Sequence, residues 1–400
     1  MKSVKVGVLG AGSFAGAFIP LFQAHPLVDD VYVAETMPER LSQAASKFQI
    51  KTTYTNMEDL LKSDVDAVAI FSQRWMHAPQ AIAALRAGKH VYSAVPAGIS
   101  VEELQELIQT VEQTGLTYMM GETSYYVPAT VYCRQRFHAG DMGRFVYAEA
   151  GYYHDMEHGF YPPYQGSNGP EWKKFASFPP MYYPTHSCGM VLGITDARMT
   201  SVSCLGYVDD HEDGIFDKKL SHWDNNFSNE TALYRTSDGG MVRINEFRRV
   251  GLRSPVTGGV RCRVYGTAAC YEEQADARAW ITHDGQVMDI LEHLECGKKE
   301  PPKDWAERQK EGAQEDFFSG LAPVHDSERL PLEFVGKGNG HFGSHQFLAD
   351  DFLQACTSGS LPPVNVWTAA RYCVPGIIAH ESAQREGEQL QIPDLGSAPV

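Results

Sequence analysis

The sequence predicts an α/β domain over residues 1–122, a doubly wound parallel sheet, followed by an α+β domain over residues 123–400. The second is expected on a large, open, mainly antiparallel sheet with closing C-terminal helices. Three observations carry this reading. Apolar strand-like runs alternate with helical patterns as far as Met120; a glycine-rich turn ends the first run; and beyond Gly121 strand-like runs succeed one another with few helices between them.

The first run, Lys5-Val6-Gly7-Val8-Leu9, breaks into Gly10-Ala11-Gly12-Ser13-Phe14-Ala15-Gly16 and resumes as a helix over 15–24. That is the sequence form of a strand, a tight turn and a helix N-terminus, whose backbone N–H groups can hold a pyrophosphate. Gly10 makes the turn, Gly12 lets a diphosphate approach the main chain, and Ser13 and Phe14 lead into the helix. Ala15 supplies the small residue that packs against the sheet. A second strand, 31–35, ends on Glu35, 35 − 15 = 20 residues beyond Ala15, where a ribose-binding acid belongs. A carboxylate followed by Thr36 favours NAD over a 2′-phosphorylated dinucleotide, with Arg40 arguing the other way. The expected half is therefore a Rossmann domain.

A helix over 38–48 and a buried strand over 66–71 follow. The loop 72–79 leaves the C-terminal end of that strand, where such sheets bind ligands. It carries Ser72 and His77; His77 either sits near a nicotinamide or packs the helix 80–87. A strand within 88–97 turns at Pro96, and a helix over 101–115 and a strand over 116–120 close this half. Past Glu122 a helix is expected over 130–139, then strands over 145–153, 199–208, 231–235, 241–247, 260–265 and 279–282. The charged, Gly/Pro-rich segment 297–340 reads as a long excursion, and helices over 347–357 and 367–386 close the second domain.

Lys plus Arg number 34 against 50 Asp plus Glu, a net charge of −16, which repels phosphate backbones and anionic membranes, so neither nucleic acid nor membrane is an expected partner. The eight cysteines show no C-x-x-C pair and no zinc spacing, which points to a reducing compartment. The first strand begins within a few residues of Met1, and no apolar run reaches the ~18 residues of a membrane span; the cytoplasm is the expected location. Two histidine pairs at i,i+4 spacing, His154 with His158 and His341 with His345, lack a second ligand set, and Gly343 argues against a continuous helix through the latter. No metal is expected. Alternating apolar positions over 241–247 would leave one sheet face uncovered, so a homo-oligomer through that sheet is expected.

The glycine fingerprint, the run Gly88-Lys89-His90-Val91 and the large second-domain sheet together resemble the Gfo/Idh/MocA oxidoreductases over essentially the whole chain. The resemblance implies a non-covalent dinucleotide, a carbohydrate or cyclitol ligand, an active site between the domains and association through the open sheet. Dehydrogenases of this family carry Glu-Lys-Pro where this chain has Ala94-Val95-Pro96, and an Asp-x-x-x-His pair where it has Tyr182 and His186. The altered set is similar to the family's NAD-dependent glycoside hydrolase branch, the α-N-acetylgalactosaminidase type. Shared features are Val95-Pro96-Ala97, Glu122, Gly151-Tyr152-Tyr153-His154-Asp155 and Tyr183-Pro184-Thr185-His186.

By that resemblance Glu122, Tyr152, His154, Tyr183 and His186 are the catalytic candidates, and Gly10, Gly12, Ser13, Phe14, Glu35, Ser72, His77 and Pro96 the dinucleotide-binding ones. His186 is the first choice of base for a sugar hydroxyl, since neutral imidazole titrates near physiological pH; otherwise it caps a helix beginning at Cys188. Tyr152 or Tyr183 could remove a proton acidified by a neighbouring ketone. With 19 tyrosines in the chain, each is equally a candidate for packing. Glu122 either orients substrate hydroxyls or caps the next helix. The segment 159–164 with Trp172 reads as a sugar-stacking wall or a packed aromatic loop. Two activities fit: a redox-neutral glycosidase that oxidises a sugar at C3 and cleaves by elimination, and a plain NAD-linked sugar or cyclitol dehydrogenase. A non-catalytic dinucleotide sensor is the third reading.

Overall fold

The structure is a computed structural model that describes residues 3–157, 159–251, 259–274, 277–298 and 319–399. They fall into two compact units, one drawn from residues 1–131, 292–370 and 395–400, the other from 132–291 and 371–394.

The first unit is laid around six parallel strands: β1 Val4–Leu9, β2 Val28–Ala34, β3 Thr53–Tyr54, β4 Ala67–Ile70, β5 His90–Ser93 and β6 Tyr118–Met120. Their order, β3-β2-β1-β4-β5-β6, reverses between β1 and β4, the switch point at which doubly wound sheets bind dinucleotides. Five helices connect them: α1 Ala15–Ala24, α2 Pro38–Phe48, α3 Met57–Lys62, α4 His77–Arg86 and α5 Val101–Thr114. Every residue of β4 is buried, as a central parallel strand covered on both faces requires. α5 opens where Ser100 Oγ accepts the Glu103 N–H at 3.1 Å and the Glu103 carboxylate accepts the Ile99 N–H at 2.8 Å. It stops at left-handed Gly115.

The expected helix over 347–357 is longer, Gly340–Ser358, and belongs to the first unit rather than the second. Its Phe347, Leu348, Phe352 and Leu353 share one core with Val6, Phe18, Phe22 and Tyr92. An apolar helix face does not encode which sheet covers it, so the chain's return was not legible locally.

The second unit begins within α6 Pro128–His138. Its strands are β7 Phe145–Tyr153, β8 Met199–Val208, β9 Phe227–Thr236, β10 Met241–Phe247, β11 Val260–Gly266, β12 Ala269–Glu273, β13 Arg278–Thr282 and β14 Val287–Asp289. They lie in the order β14-β13-β12-β11-β7-β10-β9-β8, with the short strand Leu390–Gln391 at the β8 edge. The sheet is antiparallel except that β10 runs parallel to β7. Three helices, α7 Tyr161–Asn168, α8 Trp172–Ala176 and α9 Thr185–Thr195, fill the stretch between β7 and β8, the last starting ahead of the helix expected from Cys188. α9 lies across β7, β10 and β11, turning Val242, Ile244 and Glu246 inward. On the opposite face Leu205, Tyr207, Leu233 and Met241 are each at least half exposed. No described helix is long and apolar enough to cross a membrane.

Candidate functional site

Each unit carries half of the candidate chemistry. In the first, Gly10 has φ +93°, and a Cβ there would lie 2.9 Å from the Phe71 carbonyl oxygen, so the turn after β1 admits only glycine. The Gly10 N–H donates to the Ala34 carbonyl at 2.8 Å, which ties the turn to the end of β2. Over Gly12 the space is open: a Cβ would meet nothing within 4 Å. Ser13 is exposed and Phe14 half-buried at the start of α1. Uncovered main chain at a helix N-terminus fits a diphosphate.

Glu35, 8% exposed, accepts the Ala11 N–H at 2.9 Å through Oε2. Its Oε1 takes the Met37 N–H at 2.9 Å and the Thr36 hydroxyl at 3.3 Å. A carboxylate offers about four lone-pair sites, so a held Glu35 retains capacity for a ribose hydroxyl. The donor set suits NAD.

Ser72 Oγ donates to Gln80 Oε1. His77, 1% exposed, faces the Pro96 carbonyl from Nδ1 at 2.8 Å and the Ser72 carbonyl from Nε2 at 3.2 Å. Burial pushes the imidazole down to about 4, so it is neutral with one N–H, which the shorter contact assigns to Nδ1. His77 thus braces the loop after β4 to the cis Val95–Pro96 turn after β5; both ring nitrogens face carbonyls rather than a nicotinamide. Glu122 is fully buried after β6 and accepts the Ser124 N–H at 2.7 Å, capping the single 3-10 turn Thr123–Tyr126. Beside it Gly121 is obligatory, since a Cβ would fall 1.9 Å from the Tyr92 hydroxyl.

In the second unit the structure brings together four candidates. Tyr152 and His154 stand at the end of β7, Tyr183 just before α9 and His186 in its first turn. The Tyr152 ring lies 5.0 Å from His186, 6.1 Å from Tyr183 and 5.5 Å from His154, and Tyr183 is 5.2 Å from His186. Because α9 begins at Thr185, His186 lies inside the helix and does not cap one beginning at Cys188. Tyr182, standing where the family aspartate would be, packs its ring 5.0 Å from His380.

Beneath this cluster is a row that sequence reading missed. Register sets Glu246 of β10 directly beside Tyr152 of β7 and Glu230 of β9, and both carboxylates are at most 1% exposed. Glu230 meets His380 Nδ1 at 2.8 Å and accepts the Met181 N–H at 2.9 Å. Glu246 accepts from Ser187 Oγ at 2.5 Å and from Arg248 at 3.1 Å. The same guanidinium donates to the Tyr152 carbonyl at 3.3 Å and lies 4.9 Å from the Tyr152 ring. Burial pushes the Glu246 carboxyl up to about 7, against the opposing pull of Arg248, Ser187 and His186. A usable signal existed: alternation along β10 puts Glu246 on the same face as Val242 and Ile244, a charge at an inward position.

The aromatic segment is a satellite core, with Phe160, Tyr161, Trp172 and Phe175 packed on Met156, Tyr164, Ile215 and Phe216. Phe160 also lies 4.1 Å from the His154 ring. Among the described residues no group of three or more His, Cys, Asp or Glu is arranged to hold a metal; His158 lies outside them.

Residues 4–122 match the family model described as "Oxidoreductase family, NAD-binding Rossmann fold", the Gfo/Idh/MocA family. Relatives of nearly full length include a glycosyl hydrolase family 109 protein of Saccharopolyspora erythraea, 24% identical over 98% of this chain and 83% of the relative. Another, from Porphyromonas gingivalis, bears the same name and is 23% identical over 99% and 85%. Among solved structures, levoglucosan dehydrogenase with NADH and L-sorbose superposes with TM-score 0.74 at 17% identity, covering 98% of this chain and 100% of that one. Scyllo-inositol dehydrogenase of Lactobacillus casei gives 0.67 at 16%, covering 98% and 99%.

Proposed function

We propose that this chain, whose residues 4–122 are a NAD-binding domain of the Gfo/Idh/MocA oxidoreductase family, is a carbohydrate-active enzyme that oxidises a sugar hydroxyl at C3 and cleaves a glycoside by elimination and hydration. The observation that carries the reading is the Tyr152, Tyr183 and His186 cluster with a fixed guanidinium over Tyr152. Relatives along nearly the whole chain named as glycosyl hydrolases favour it over a plain dehydrogenase.

NAD, when bound, supplies the two-electron oxidation at C3 and its later reversal, so the cycle is redox-neutral. His186 accepts the proton of the C3 hydroxyl and returns it at the end. The C3 ketone acidifies the C2–H; Tyr152 or Tyr183 takes that proton, the electron pair forms the C1–C2 double bond, and the C1 substituent leaves with its bonding pair and gains a proton. Water then adds across the double bond, its oxygen at C1 and a proton at C2. Arg248 favours this by holding positive charge against a ring that carries negative charge as phenolate. His154 and Glu122 are assigned to orienting substrate. No pair of glycosidase carboxylates is needed.

The second reading, a dehydrogenase in which His186 alone is the base, is favoured by the sugar and inositol dehydrogenases among the structural neighbours. A single experiment separates the two. With p-nitrophenyl N-acetyl-α-galactosaminide in D2O, the hydrolase places deuterium at C2 of the released sugar without net NADH. Stoichiometric NADH with an intact glycosidic bond establishes the dehydrogenase instead.

We further propose a homo-oligomer through the open face of the second sheet. Leu205, Tyr207, Leu233 and Met241 stand exposed on adjacent strands there, with an Arg243–Glu149 ion pair at 2.7 Å among them. Light scattering at micromolar concentration is expected to give at least a dimer, and Leu233→Lys to shift it towards monomer; a wild-type monomer would refute the proposal.

A further inference from the structure

His186 sits in the first turn of α9, and Pro184, which precedes the helix, provides no side-chain cap. Helix ends fray, so the position of the imidazole depends on what ties this turn to its surroundings. A chain of hydrogen bonds starts at the next residue. Ser187 Oγ donates to Glu246 Oε1 at 2.5 Å, Arg248 donates from Nη2 to Glu246 Oε2 at 3.1 Å, and from Nη1 to the Tyr152 carbonyl at 3.3 Å. The chain thus runs from the neighbour of His186 to the backbone of Tyr152, whose ring lies 5.0 Å from the imidazole.

A carboxylate is an expensive choice for the middle of that chain. Glu246 is fully buried, on the inward face of β10 with Val242 and Ile244, and register sets it between Tyr152 of β7 and Glu230 of β9. An apolar side chain of similar size would fill the position without desolvating a charge. Apolar packing is non-directional, however, and leaves a helix buried on most sides free to rotate or slide slightly. Hydrogen bonds have preferred directions and remove that freedom. A carboxylate has two oxygens, so one side chain can accept from the helix and from the strand side at once. Ser187 and Arg248 take one oxygen each.

We propose that Glu246 is a positioning residue for this reaction: its two oxygens clamp the start of α9 to the Tyr152 end of β7 and so fix the separation of His186 from Tyr152. Fully buried, it acts through Ser187 and Arg248 rather than on the sugar. The proposal rests on His186 being the base of the sugar oxidation. Reaction geometry is sensitive at this scale, since a misplacement of about 1 Å can cost 10²-fold in rate.

The test compares Ser187→Ala and Glu246→Gln with wild type, using the full chain, saturating NAD and p-nitrophenyl N-acetyl-α-galactosaminide. The readouts are kcat, KM and the rate of transient NADH formation in a single turnover. Ser187→Ala cuts the link to α9 and leaves the Glu246–Arg248 pair in place, so the variant folds. It is expected to lower kcat and NADH formation roughly 10-fold or more, while KM stays within about twofold of wild type. In Glu246→Gln the amide oxygen accepts from Arg248 and the amide N–H donates to Ser187 Oγ. The clamp survives without its charge, and the loss in kcat is expected to be smaller than in Ser187→Ala. A Ser187→Ala kcat within about twofold of wild type, whatever its melting temperature, overturns the assignment. A larger kcat loss in Glu246→Gln than in Ser187→Ala overturns it too, because charge rather than linkage would then be what Glu246 supplies. A wild type that releases NADH and leaves the glycoside intact strikes the hydrolase reading alone, since NADH formation in the variants still reports on His186.

Discussion

Substitution of His186 by asparagine lowers turnover of the aryl glycoside by about 10²–10⁴-fold, the range for removing a positioned acid–base group. NAD affinity and folding are expected to hold, because His186 belongs to the second unit while the fingerprint lies in the first. Asparagine keeps polarity and volume near those of histidine but cannot take up a proton at neutral pH. The loss therefore falls on kcat rather than KM. In D2O the variant should also lose deuterium incorporation at C2 in proportion, since the ketone that acidifies C2–H is not formed. A variant within tenfold of wild type would transfer the base role to Tyr152 or Tyr183, the rings 5.0 and 5.2 Å away.

Replacement of Arg248 by methionine is expected to destabilise the second unit by about 3–5 kcal/mol at pH 8, measured by denaturant unfolding, because it strips the cation from a buried carboxylate. Glu246 is fully buried beside Glu230, and methionine restores neither the 3.1 Å ion pair nor the bond to the Tyr152 carbonyl. The double variant Arg248→Met with Glu246→Gln should recover at least half of that loss, as removing both partners leaves no unpaired charge. The pH dependence follows from the same residue. Burial raises Glu246 from its ordinary 4.5 to about 7 in the folded protein. Between those values the folded state holds a proton that the unfolded state has released. Stability from this group is thus full below pH 4.5 and lost as pH rises to about 7, a decline on the order of 3 kcal/mol. Glu246→Gln abolishes that contribution. His77 and His345 work the other way: burial lowers both, to about 4 and about 3, so their contribution is present above pH 6.5 and lost on acidification. Melts across pH 4–8 that change equally in wild type and Glu246→Gln would exclude an ionising Glu246.

Much of both units was legible because the signals are local. The helix over 15–24 and the strands over 145–153, 199–208 and 241–247 fall where periodicity put them, since a period of two or 3.6 is written into a few consecutive residues. Gly10 and Glu35 were readable for a related reason: a tight turn and an acid at a fixed offset are short-range requirements, and the structure joins them through the Ala11 N–H. The short helices at 161–168 and 172–176 were missed, and the helix expected from Cys188 begins earlier, at Thr185. Pro and Gly interrupt the first of these, and the helix Thr185–Thr195, buried throughout its first ten residues, has little amphipathic stripe from which to read its start.

What the sequence by itself determined is thus the two sheets, the dinucleotide turn with its acid, and the set of aromatic and histidine residues from which a site is built. Tertiary structure alone decided which of these meet. Strand register placed Glu230, Glu246 and Tyr152 in one buried row, and a one-residue slip in any pairing would have turned that strand's residues to the other face. Long-range packing carried the helix Gly340–Ser358 back to the first core and set His341 against Phe14. Such contacts join residues more than three hundred positions apart (341 − 14 = 327). The free energy that selects them is apolar burial, which is non-directional and leaves no mark in the spacing of either segment.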